Sequence, residues 1–102
     1  PYLALAVCLA AGLDGMERKL AVPDEVKSNI YAMAEEDRQA AGIEKLPGNL
    51  SEAVQAFEKD EYIQSVLGRH TSNMYRKAKQ SEWLQYTSQI TNWELEEYLY
   101  KI

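Results

Sequence analysis

The chain holds a single imidazole, His70, and a single thiol, Cys8, and these two residues bound the available chemistry. A Cys/His zinc site takes four ligands, and a disulfide or thiol redox pair takes two cysteines, so none of these can be built here. His70 follows Gly68-Arg69 and precedes Thr71, close to a helix start. A solvent-facing or capping role fits it better than that of a catalytic base. The glycines at 12, 15, 42, 48 and 68 open neither a Walker-type phosphate loop nor a GxGxxG turn. Carboxylates are plentiful, but they gather at Glu35-Glu36-Asp37, Asp60-Glu61 and Glu94-Glu96-Glu97. Those are places where helix N-termini attract negative charge. No aspartate spacing matches a calcium loop. The expectation is therefore no catalytic, cofactor-binding or metal-ligating residue in this stretch, and no cofactor bound by it.

The aromatic residues are more telling. Tyr75, Trp83, Tyr86, Trp93, Tyr98 and Tyr100 crowd the last part of the chain. Tyr and Trp at this density occur in cores and as anchors of protein–protein interfaces. The final segment offers Trp93 or Leu95, Tyr98 or Leu99, and Ile102 at helical spacing. A chain end frays unless it is docked. Packing on its own long helix and docking on another subunit are equally good accounts of these residues.

The elements that must carry these groups read as helices throughout. At 102 residues, 46% apolar and 26% charged, the chain has the composition of one globular domain with a thin core. Its net charge of −5 argues against a nucleic-acid backbone or an anionic membrane as main partner. Residues 2–11 are apolar, far short of the roughly 20 that span a bilayer. They also lack the basic flank of a secretory signal. The spacing predicts a first helix running to about residue 19 or 20, closed by Arg18 and Lys19. Being apolar on every side, it belongs inside a larger body, with Cys8 as a small buried filler. Ala and Gly at 10, 11, 12 and 15 would let another backbone come close. Pro1 in place of Met suggests a chain processed, trimmed or cut from something longer.

An extended connection is expected over 21–33, and a short acidic helix over about 34–41, stopped by Gly42. A turn follows at Leu46-Pro47-Gly48. Asn49 and Asp60 read as N-caps of two further helices. Tyr62, Ile63, Val66 and Leu67 should face inward from the second, which stops at Gly68. A long helix is expected over about 70–90, its apolar positions including Met74, Tyr75, Ala78, Trp83, Leu84, Tyr86 and Ile90. Thr91-Asn92-Trp93-Glu94 has the capping-box form and opens a terminal helix over about 91–102. No period-2 strand stands out. The fold class expected is all-α, five or six helices, about two-thirds helical.

Five stretches carry a resemblance, in order, over essentially the whole chain. Pro-Tyr-Leu-Ala-Leu-Ala at 1–6, Ala-Gly-Leu-Asp-Gly at 11–15, Asn-Ile-Tyr at 29–31 and Leu-Pro-Gly-Asn-Leu-Ser-Glu-Ala at 46–53 come first. The fifth is the tail from Glu82-Trp83 through Trp93-Glu94 to Tyr98. Together they resemble the end of a bacterial type I glutamine synthetase, closest to the Gram-positive form. That family makes glutamine from glutamate, ammonia and ATP with divalent Mg2+ or Mn2+, as a cytoplasmic dodecamer of two stacked rings.

The resemblance implies that the whole chain, 1–102, is the C-terminal helical part of a larger α+β catalytic domain. The metal-binding glutamates, the ATP and glutamate contacts and the catalytic arginines would lie upstream of the match to Pro1. It implies that the terminal helix reaches the opposite ring, with Trp93, Leu95, Tyr98, Leu99 and Ile102 as apolar contacts to other subunits. Tyr31 matches the tyrosine that enteric members adenylylate. The neighbouring Met33-Ala34-Glu35-Glu36-Asp37 has the Gram-positive character that goes with an unmodified, packed or hydrogen-bonded tyrosine. Glu17-Arg18 departs from the uncharged or Asn/Lys-like pair common there.

Two other accounts compete. The chain would be an autonomous helical module binding a regulator through its acidic surface, or a small enzyme in its own right. In either case, apolar first and last helices predict self-association of the isolated chain.

Overall fold

A computed structural model describes residues 1–101. It is helical throughout, 68% by residue, and no strand forms among the described residues. The elements are α1 (Tyr2–Glu17), a 3-10 turn (Ile30–Ala32), α2 (Glu35–Ala40), α3 (Leu50–Lys59), α4 (Glu61–Leu67) and α5 (Arg69–Thr87). A short α6 (Asn92–Glu94) continues into a π-helical turn (Leu95–Leu99). The all-α class expected from the sequence is the one observed. The chain divides into two units, Pro1–Gly48 and the residues from Asn49 onward.

In the first unit, α1 forms from residues with strong helix preference, and Pro1 stands at its N-cap. None of its residues is buried. Cys8 is exposed as well, so the buried filler expected there is not realised within this chain. The helix stops at Glu17, short of the predicted end. The Lys19 N–H reaches Met16 O at 3.1 Å and the Leu20 N–H reaches Gly15 O at 3.0 Å. This is a Schellman closure, and it sets Lys19 at φ +51, where glycine is the usual occupant. α2 closes the same way: Gly42 N–H to Gln39 O and Ile43 N–H to Arg38 O, both 3.0 Å. There the left-handed residue is Gly42, at φ +69.

The second unit holds the core. The apolar face of α3 repeats at Leu50, Ala53, Val54 and Phe57, the spacing of one helix side. Val54 is buried, and removing such a side chain from water contributes roughly 1.5–3 kcal/mol. Asn49 and Asp60 act as the N-caps expected, accepting from Glu52 N and Ile63 N, each at 2.9 Å. The Gln64 side chain donates to Phe57 O, which also accepts from the Asp60 N–H, and to Glu58 O, each at 3.1 Å, at the end of α3.

Gly68 joins α4 to α5 at φ 80, ψ 152, a region that residues with a Cβ avoid. α5 then folds back with Ser72 buried, its hydroxyl donating to Gln64 O at 3.0 Å. Phe57 meets Tyr75 edge to face at 6.1 Å. The long helix ends at Thr87 rather than Ile90. The Thr87 and Ser88 hydroxyls turn back onto Trp83 O (3.0 Å) and Gln85 O (2.8 Å), an alternative to further helix. Met74, Tyr75, Leu84, Tyr86 and Ile90 are exposed, and so are Tyr62 and Val66, which the sequence placed inward. The side of α5 that is partly or wholly covered carries Ser72, Arg76, Lys79 and Trp83 instead.

Candidate interaction site

The terminal segment begins at a complete capping box. The Thr91 hydroxyl accepts from Glu94 N at 3.2 Å, while the Thr91 N–H donates to the Glu94 carboxylate at 2.7 Å. The Thr91 N–H foremost, and then the Thr91 hydroxyl donating to the same carboxylate oxygen at 2.9 Å, hold the Glu94 carboxyl below its ordinary value of 4.5. Beyond the box the winding widens. In an α-helix residues five apart lie on different sides. In the π-helical turn they meet, and Trp93 and Tyr98 stand edge to face, centroids 5.9 Å apart. The regular terminal helix expected from the sequence is thus a short α-turn and a π-turn, and the π-winding pairs Trp93 with Tyr98.

These aromatic groups are not covered by the rest of the chain. Trp93 and Tyr98 are each 61% exposed, and Leu95 and Leu99 are exposed as well. Ile102, the fifth residue named for this surface, lies outside the described residues. Glu97 is bound by Lys101 at 2.6 Å, and Glu96 is exposed. Packing on the long helix of the same chain does not cover these side chains.

Tyr31 sits in the 3-10 turn, whose start is fixed by Asn29 Oδ1 accepting from Tyr31 N at 3.0 Å. Its ring is fully exposed, not packed within this chain. His70 is exposed in the first turn of α5. Sequence reasoning missed the ion cluster on Glu35, which is joined by Arg38 and Lys45 and by Gln39 at 3.3 Å. The hydrogen bond from Lys45, helped by Gln39 and Arg38 and opposed by partial desolvation, lowers the Glu35 carboxyl below 4.5. The cluster ties the segment after α2 back to its first turn.

Among the described residues, no three His, Cys, Asp or Glu side chains converge to hold a metal ion. The side chains present therefore do not fit the divalent cations that the family resemblance implies. Among the same residues, no helix is long and apolar enough to cross a membrane.

Comparison with known proteins supports the resemblance. The family described as glutamine synthetase, catalytic domain, matches residues 1–98. The chain is 46% identical over 99 residues to a glutamine synthetase of Staphylococcus epidermidis. Its identity to those of Staphylococcus aureus and Methanocaldococcus jannaschii is 44% and 43%, over the same length. In each case the match takes in 97% of this chain and 22% of the relative. Matched nearly end to end by that catalytic domain and by relatives from bacteria and an archaeon, the chain belongs to the glutamine synthetase family.

Proposed function

We propose that the chain is the C-terminal structural and assembly segment of a glutamine synthetase, with no active site of its own. The parent enzyme joins ammonia to glutamate at the expense of ATP, in the cytoplasm. ATP and Mg2+ or Mn2+ are held by parts of the parent outside this chain, which lie in an α+β catalytic domain. The partners of the chain are the other subunits of a dodecamer. α1 supports the catalytic body from which it is here separated. The terminal segment, through Trp93, Leu95, Tyr98, Leu99 and Ile102, clasps the opposite ring. Tyr31 is open to a modifying enzyme.

One observation carries this reading. A chain spanning 22% of its relatives leaves its most apolar helix and its terminal aromatic residues uncovered. Surfaces of that kind mark contacts with other structure. The continuous match over residues 1–98 favours a piece of the enzyme over an independent regulator-binding module.

The test is truncation after Ile90 in the full-length parent, sized by light scattering. Rings that no longer stack, with upstream residues still folded, are expected. Double rings that survive the truncation overturn the clasp.

A further inference from the structure

We propose that the terminal segment is a two-state strap, wound as a π-turn while Trp93 and Tyr98 pair and as an ordinary α-helix when they part. The two windings present different apolar faces. Five residues apart, Trp93 and Tyr98 meet only in the wider form. In an α-helix, residues three and four apart share a side. Leu95 would then stand with Tyr98 and Leu99, and Trp93 with Glu96 and Glu97.

Nothing in the sequence of the turn forces the wider winding. Leu95–Leu99 reads Leu-Glu-Glu-Tyr-Leu, with no glycine or proline, and leucine and glutamate are strong α-helix formers. None of these residues is buried, so no core holds the turn open. The ion pair of Glu97 with Lys101 spans four residues, a spacing that the α-form keeps. What opposes α-winding is the edge-to-face contact of Trp93 with Tyr98 at 5.9 Å. Such a pair shifts an equilibrium by roughly 2- to 10-fold. A latch of that size outweighs the α-preference only narrowly and leaves both forms populated. The upstream end takes no part, because the Thr91–Glu94 capping box fixes where the segment starts. A body that grips Leu95, Tyr98 and Leu99 from one side selects the α-form, and one that grips the paired rings selects the π-form. The strap thus ties what it can bind to how it is wound.

The experiment is NMR on the isotope-labelled chain at high dilution. Couplings across hydrogen bonds read the winding directly: an amide bonds the carbonyl five residues back in a π-turn and four back in an α-helix. The unaltered chain is expected to show five-residue bonds within the segment, with microsecond-to-millisecond exchange across Leu95–Leu99. Tyr98→Ala removes the latch and is expected to lower the ratio of π-form to α-form roughly 2- to 10-fold, so that four-residue bonds dominate. Tyr98→Phe keeps the ring and should keep the π-turn. A single winding without exchange in the unaltered chain overturns the two-state strap. Five-residue bonds that persist undiminished in Tyr98→Ala overturn the latch. Where Tyr98→Ala frays the segment altogether, Trp93→Leu decides. Four-residue bonds in that variant support the strap, five-residue bonds overturn the latch, and the loss of both overturns the α-form.

Discussion

α1 and α3 are both apolar enough to build a core, and only α3 does so in this chain. α3 confines its apolar residues to one side, meets α4 and α5 with that side, and buries Val54. α1 is apolar all round and buries nothing. The difference lies in partners rather than hydrophobicity. A one-sided helix can be satisfied by two neighbours, whereas a helix with no polar side requires structure around its whole circumference.

The sharpest way to break this comparison is to place a charge in each helix of the isolated chain. Val54→Asp buries an unpaired carboxylate and should lower stability by about 3 kcal/mol in urea unfolding. Leu5→Asp, at a position 68% exposed, should change it by less than about 0.5 kcal/mol. Equal effects would mean that α1 has a core of its own. Next in size is the elbow between α4 and α5. Gly68→Ala should cost about 2 kcal/mol through backbone strain alone, since a Cβ there meets nothing within 4 Å. An unchanged urea midpoint would mean that the elbow relaxes freely.

The two Schellman closures give a matched pair of smaller effects. Lys19→Gly should stabilise by about 1 kcal/mol, and Gly42→Ala should destabilise by a similar amount. Thermal melts by circular dichroism that move in the same direction would contradict the shared geometry. The smallest effect concerns the terminal segment. Thr91→Ala should weaken its helix by roughly 0.5–1 kcal/mol. The Glu94 carboxyl has a lowered value in the folded chain, so its support is whole above about 4.5 and fades as pH falls through that lowered value. The Trp93 indole signal in NMR should hold steady from pH 7 to 5 and shift on further acidification. A shift above pH 5 would point to another group.

The capping residues were legible because a cap is a local event. Asn49, Asp60 and Thr91 each bond a backbone group within three residues, and their types announce it. What escaped depended on distance or on geometry without a sequence mark. Lys19 has no feature that signals a left-handed residue. The Glu35–Lys45 pair joins residues ten apart. The exposed apolar side of α5 reads like a core, since hydrophobic residues look the same whether their partner lies inside or outside the chain. The terminal aromatic residues were visible by type, yet a 3.6-residue period could not foresee the pairing of Trp93 with Tyr98.

That pairing makes the length of the tail matter as much as its composition. A widened turn holds one residue more than regular winding. Deleting a single residue within Leu95–Leu99 would let the coil tighten and swing everything beyond it by about 100°. The last leucine and tyrosines would point elsewhere. A tail one residue shorter, though chemically almost unchanged, would present a different face.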